Sequence, residues 1–238
     1  MTAGPDQSGV AEPWTVVRGQ VLRTALSVGV ATGAYGLSFG ALATASGLSV
    51  VQACALSVLA FSGGSQFALI GVLAGGGSVA SGTASAVLLS ARNMVYGARL
   101  AKPLGLAGWR RLVGAQFVLD ESTAVALGTE RRGPAAMRLA FWATGTAVFV
   151  LWNLASLIGA VAGNAIGDPR DLGLDAAVPA AFIALLAPRL RDRPAWLTAV
   201  AAALVALAVV PFVPGGVPVL VAALVPVAAI LVSKGRRG

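Results

Sequence analysis

The stretch Phe61-Ser62-Gly63-Gly64-Ser65-Gln66-Phe67 decides how this sequence is read. It lies in the middle of an apolar run from about Val50 to Ala74. A run of that length crosses a bilayer at ~1.5 Å per residue, which puts the motif near the membrane midplane. There each Gly costs about 1 kcal/mol against Ala in a helix interior. Ser and Gln need protein partners, because hydrocarbon offers none. A chain that only had to span would place Leu and Val here. Two readings stand side by side. Glycines in a discontinuous helix can open backbone groups to a substrate cavity. Small residues also let helices approach closely, with no site at all.

The composition points the same way. Of the 238 residues 57% are hydrophobic and only 11% charged, with a mean hydropathy of +0.84. Several separate apolar runs near twenty residues make this an all-α, polytopic helical membrane protein. The net charge is +8, but Arg and Lys stand at the ends of apolar runs, where the positive-inside rule accounts for them without nucleic acid. The chain contains no His and a single Cys, Cys54. His metal sites, His general bases and an intrachain disulfide are therefore excluded, and no metal or other cofactor is expected. No P-loop sequence occurs. The first residues, with Pro5, Asp6 and Glu12, lack a basic n-region before an apolar h-region, so no cleaved signal peptide is expected.

Residues 1–20 read as a polar N-terminal segment, 21–233 as one transmembrane domain, and 234–238 as a basic cytoplasmic tail. The runs are about 21–45, 50–74, 78–98, 112–128, 136–163, 176–188, 195–213 and 217–232. The first carries Gly29, Gly33, Gly36 and Gly40, a face suited to close helix packing. Ser49 is placed to cap the second run. The second run is expected to be broken at its glycines. Run 112–128 contains Gln116, Asp120 and Glu121, which makes it the weakest span. Seven and eight crossings both remain open. If all runs cross, the basic stretch 99–111 lies outside; if only 112–128 is re-entrant, Arg18 and Arg23 do. Loops 129–138 and 189–194 and the C-terminus read as cytoplasmic, and the acidic loop 164–175 as external. Gly47-Leu48-Ser49 resembles Gly173-Leu174-Asp175, with Phe61 and Phe182 following, which suggests an internal repeat.

Charges deep in membrane runs are candidates for function. These are Arg92, Asp120 and Glu121. Arg92 either snorkels to the interface or pairs with a carboxylate across helices. Asp120 and Glu121 are adjacent and so are not expected to share one helix face. A carboxylate here could also carry a proton in a coupling cycle. Gly63, Gly64, Ser65 and Gln66 are the candidate substrate-binding residues. Gln66, Gln116 and Asn153 can bond a ligand or bond between helices. Trp109 and Trp196, at run ends, read as interface anchors.

The Gly-rich first run, the Phe61–Phe67 motif, Arg92 near Tyr96-Gly97, Asp120-Glu121-Ser122, Leu172-Gly173-Leu174-Asp175 and Pro179-Ala180-Ala181-Phe182 together resemble the AzlC family. That family is the large subunit of branched-chain amino-acid exporters, and the likeness covers roughly residues 20–195. The family often has Asn-x-Arg-His before the Tyr-Gly; here Ser90, Arg92 and Asn93 stand in those places, without the His. The resemblance implies efflux of valine, leucine, isoleucine or analogues through the cytoplasmic membrane of a bacterium. It also implies a small hydrophobic partner of the AzlD type. An intramembrane enzyme is disfavoured by the missing His. A structural subunit without a substrate is disfavoured by the polar midplane motif.

Overall fold

The computed structural model describes residues 12–165, 183, 186, 187, 190, 192–213 and 216–235. Among these residues every regular element is helical. Two 32-residue helices, α1 (Trp14–Ala45) and α7 (Pro134–Ala165), form the spine. Between them lie α2 (Val50–Leu59), α3 (Gly64–Ala74), α4 (Val79–Leu104), α5 (Trp109–Gln116) and α6 (Asp120–Gly128). After them come α8 (Arg193–Val209), α9 (Val217–Ala222) and α10 (Leu224–Gly235). Helices α1 and α7 and the stretch Arg193–Phe212 are long and apolar enough to cross a membrane. The chain is an all-α membrane protein.

The glycines of the first run do pack helices. Added Cβ atoms at Gly29 and Gly33 would lie 2.8 and 2.7 Å from the Cβ atoms of Ala147 and Leu151. Gly36 faces the Trp152 carbonyl and Gly40 the Ser156 carbonyl. From the other side, Gly159 abuts Leu37, and Gly163 abuts Ala41 and Thr44. Residue numbers rise together along this seam, so α1 and α7 run parallel.

Parallel packing limits the topology between them. Helix α2 starts where α1 ends, after a four-residue turn, and Ser49 caps it by accepting a bond from Gln52 N at 3.2 Å. Helix α3 runs antiparallel to α4: Ser65 Oγ lies 2.7 Å from Ser90 Oγ, while Gly82 lies against Leu69 and Val72. Helix α4 ends at Leu100 and Leu104, in one cluster with Val17, Val21, Ala136 and Met137 from the starts of α1 and α7. So α4 descends from the end where α1 and α7 finish, and α3 rises to that end. Helix α2 descends from it. The second run is broken, as expected, and its halves return to the same end. The Gln66 Nε2 donor reaches Leu56 O at 2.8 Å. A straight continuation would separate these residues by ~15 Å.

Run 112–128 does the same from the opposite end. Helix α5 climbs from Trp109 to Gln116, whose Nε2 donates to Val58 O at 2.7 Å. Helix α6 starts beside Arg92 and returns to Ala126 in the Val17–Leu104 cluster. The arms are 10, 11, 8 and 9 residues long, each about half the ~30 Å needed to cross. Counting either run as a crossing, or 112–128 alone as re-entrant, would make α1 and α7 antiparallel or leave these contacts unmade.

Two re-entrant hairpins settle the charge conflict. Arg99 pairs with Glu130 at 3.0 Å, Arg132 with Glu12 at 3.1 Å, and Arg138 Nε donates to Pro103 O at 3.2 Å. Arg18, Arg23, the 99–111 stretch and the 130–138 stretch therefore share one end. The described turns at the other end, residues 46–49 and 75–78, carry no charge. Gly216 lies against Ser81 and Val72 at that end, so α9 starts there. Acidic loop 164–175 beyond its first two residues, most of run 176–188 and the residues of the expected repeat in that region, Gly173, Leu174, Asp175 and Phe182, fall outside the described residues. Within the described ones a like arrangement joins other elements: α1 with hairpin α2–α3, and α4 with hairpin α5–α6, entered from opposite ends.

In a Cys54→Ala background, Ser46→Cys and Gly75→Cys should be labelled by a membrane-impermeant maleimide from one face of the membrane. Lys102→Cys and Arg131→Cys should be labelled from the other. Labelling of residues 46 and 75 from opposite faces would mean that run 50–74 crosses.

Candidate functional site

The two hairpin tips meet at mid-depth. Residues 60–63 form one tip and Phe117–Leu119 the other. Gly63 has φ +61° and ψ −90°, a backbone that only Gly adopts without strain, and this turns the chain into α3. No side chain caps α3. At the second tip, Leu119 N donates to Ser122 Oγ at 3.1 Å, and Ser122 Oγ donates to Phe117 O. Helices α3 and α6 both begin here, so two partly positive N-termini face the same region.

Between the tips is a cavity of about 280 Å³, at the low end of the roughly 300–1,000 Å³ typical of small-molecule sites. Phe61, Ser62, Gly63, Gly64 and Phe67 line it from the first hairpin, and Leu119, Asp120 and Glu121 from the second. Leu89 and Arg92 of α4, Thr32 and Tyr35 of α1, Val148 and Trp152 of α7, and Leu186 complete it. An aromatic group backs it: Phe39 stacks on Trp152 at 5.9 Å, and Phe67 meets both edge-on at 5.9 and 6.1 Å.

Arg92 does not snorkel. Its Nη2 lies 3.0 Å from Asp120 Oδ2, with the two side chains 31% and 22% exposed. The bridge ties α4 to the tip of hairpin α5–α6. A Cβ at Gly64 would come within 3.4 Å of the same guanidinium, so Arg92 also covers the start of α3. Arg92 Nε and the Trp152 indole nitrogen are buried without a hydrogen-bond partner. Asp120 and Glu121 both line the cavity, against the expectation that adjacent residues diverge. They are the first two residues of α6, and the cavity lies off the end of that helix, where consecutive side chains fan out around it. Their charges also suit an N-terminus.

The sequence candidates thus divide. Gly63, Gly64, Arg92, Asp120 and Glu121 come together at one cavity. Ser65 and Gln66 are buried behind it. Ser65 bonds Ser62 and Ser90, and Gln66 bonds Leu56 O. Gln66 and Gln116 serve α2, whose last carbonyls end in the membrane interior and need donors. Asn153 Nδ2 donates to Phe149 O of its own helix at 2.8 Å. Asn93, at the position of the family His, keeps Oδ1 buried without a partner. Sequence reasoning missed Thr32, Tyr35 and Val148 as cavity walls and passed over Trp152. A Trp near the centre of a long apolar run, away from both interfaces, was the available signal.

A family model described as AzlC protein matches residues 27–166. The chain belongs to the AzlC family. The matched residues include every cavity-lining residue except Leu186. An uncharacterized membrane protein of Archaeoglobus fulgidus is 30% identical over 158 residues, which is 66% of this chain and 68% of that protein. No solved structure matches this AzlC-family chain.

Gln116→Leu should leave Val58 O unpaired in the membrane interior, at a cost of about 1–3 kcal/mol. Gly63→Ala should cost about 1–2 kcal/mol through its left-handed backbone. Both should lower the midpoint of thermal unfolding in detergent, whereas Gly128→Ala, with open space around it, should not. A Gln116→Leu midpoint equal to wild type would remove the capping role.

Proposed function

We propose that this protein is the large, substrate-binding subunit of a secondary transporter that exports branched-chain or similar apolar amino acids. The observation that carries the reading is the cavity between the hairpin tips. It offers one cationic and two anionic side chains within a wall of Phe61, Phe67, Leu89, Leu119, Val148 and Trp152. Such a site suits a small zwitterion with an apolar side chain: charged groups orient it and the apolar wall takes the rest. Half-helix ends at mid-depth are a recurring way to build transporter sites. Family membership supports the same substrate class and an AzlD-type small hydrophobic partner subunit. A purely structural subunit would have no use for ionisable groups at this depth.

The reading places the protein in the cytoplasmic membrane of a bacterium, with the basic end inside. Helix α9 starts at the end that holds residues 46–49 and 75–78. Residues 217–235 rise ~28 Å if α9 and α10 continue in line, enough to return the C-terminus to the cytoplasm. A C-terminal alkaline phosphatase fusion should then be inactive and a C-terminal fluorescent protein fusion bright.

Cells loaded with a leucine-containing dipeptide should release leucine faster when this chain and its small partner are expressed. Asp120→Asn with Glu121→Gln should abolish the gain at equal membrane abundance. Equal release with and without the wild-type pair would count decisively against export.

A further inference from the structure

A second cavity lies between two helices that also wall the first. It measures about 420 Å³ and sits at the basic end, lined by Gln20 and Thr24 of α1, Val125 and Gly128 of α6, and Arg131 and Arg132 beyond it. The central cavity takes Thr32 and Tyr35 from α1 and Asp120 and Glu121 from α6. On α1, Gln20, Thr24, Val28 and Thr32 recur every four residues and Tyr35 follows three later, which is one face of a helix. On α6, Glu121, Val125 and Gly128 are four and three apart, again one face. Both cavities therefore open on a single groove. Residue numbers rise along α1 from the second cavity to the first and fall along α6, so the two helices run antiparallel and Val28 falls level with Ala124 and Val125. One turn of α6, ~6 Å, separates Glu121 in one cavity from Val125 in the other.

We propose that this groove is the route between the central cavity and the basic face, with Val28 and Val125 as its neck. This rests on the transport reading above and assigns the side of α1 along which the solute passes. The other sides of α1 are taken. Gly29 and Gly33 lie in the seam with α7, and Leu22, Leu26 and Val30 form an exposed apolar row suited to lipid. The groove face carries Gln20, Thr24, Thr32 and Tyr35 instead. Amide and hydroxyl groups are costly against hydrocarbon and at home against water. The mouth is polar as well, with Arg131 and with Arg132 held by Glu12 at 3.1 Å. Between the two wet ends the valines make a short apolar constriction, which closes to water and solute when narrow. Helix α1 is locked to α7, whereas α6 is an arm of nine residues. Widening the neck therefore falls to α6.

The test uses the full-length Cys54→Ala chain, with its small partner subunit, in right-side-out and inside-out membrane vesicles. Single cysteines are probed with a permanently charged methanethiosulfonate, which attacks thiolates and so reads contact with water. From the basic face, Thr24→Cys and Val28→Cys should react about ten-fold or more faster than Leu22→Cys and Leu26→Cys, whose side chains meet lipid. Modification of Val28→Cys should also cut leucine flux across the vesicles about ten-fold, by filling the neck. If Val28→Cys does not reach the membrane, Ala31→Cys, between Val28 and Tyr35, replaces it. Val28→Cys reacting as slowly as Leu26→Cys would overturn the route. If Thr24→Cys alone were fast, the second cavity would be a blind pocket; if both were slow, the groove would hold lipid. Leucine flux unchanged by full modification of Val28→Cys would also overturn the route and leave the transport reading standing. Fast modification without leucine flux in the unmodified chain would keep the water-filled route and sink the amino-acid reading.

Discussion

A helix that stops inside a membrane leaves peptide groups with no water to turn to, and this fold is arranged around that constraint. Four half-helices end at mid-depth. The C-terminal carbonyls of α2 are met by Gln66 and Gln116, one from each hairpin. The second tip is closed by Ser122. The N-terminus of α3 has no side-chain cap and opens beside the cavity, under Arg92. Structural and functional polar groups are thus of the same origin. Both answer broken backbone, and they differ in whether protein or cavity supplies the partner.

This explains what was legible in the sequence. Glycine and glutamine in the middle of an apolar run announced a break, and Arg92, Asp120 and Glu121 announced the site. Which polar residue faces the cavity was not legible. Gln66 and Gly64 are two positions apart, yet one reaches back to Leu56 and the other sits at the cavity wall. That depends on the sense of the turn at Gly63, which is set by where α2 and α3 pack. Hydropathy counts apolar length and is blind to direction, so two half-depth arms joined by a tip look like one span. The walls on α1 and α7 were hidden for a similar reason: Thr32, Tyr35 and Val148 carry no unusual chemistry and matter only because the seam turns them inward.

Charge placement was legible in part. Each basic stretch was visible, and the conflict between Arg18 and the 99–111 stretch came from treating the two polar-centred runs differently. With both folded back, the basic stretches through residue 138 and their partners Glu12 and Glu130 fall at a single end. The uncharged glycine-rich turns fall at the other. The resulting pattern, a long helix followed by a half-depth hairpin and then the same again upside down, is an inverted repeat of the kind found in transporters that expose one site to two sides.

The α1–α7 seam has a mechanical consequence. Along Gly29, Gly33, Gly36, Gly40, Gly159 and Gly163 the two backbones interlock so closely that almost no side chain separates them. A slip of one residue, ~1.5 Å, would drive a methyl or larger group into a carbonyl at several places at once. The pair therefore behaves as a single beam. On the proposed transport function, whatever moves to let a solute pass must move against that beam. The parts free to do so are the short arms and α4, fastened near the middle by Arg92–Asp120 and by serine and glutamine contacts. A fixed post with light, polar-latched flaps on opposite sides is the machine that this seam leaves available.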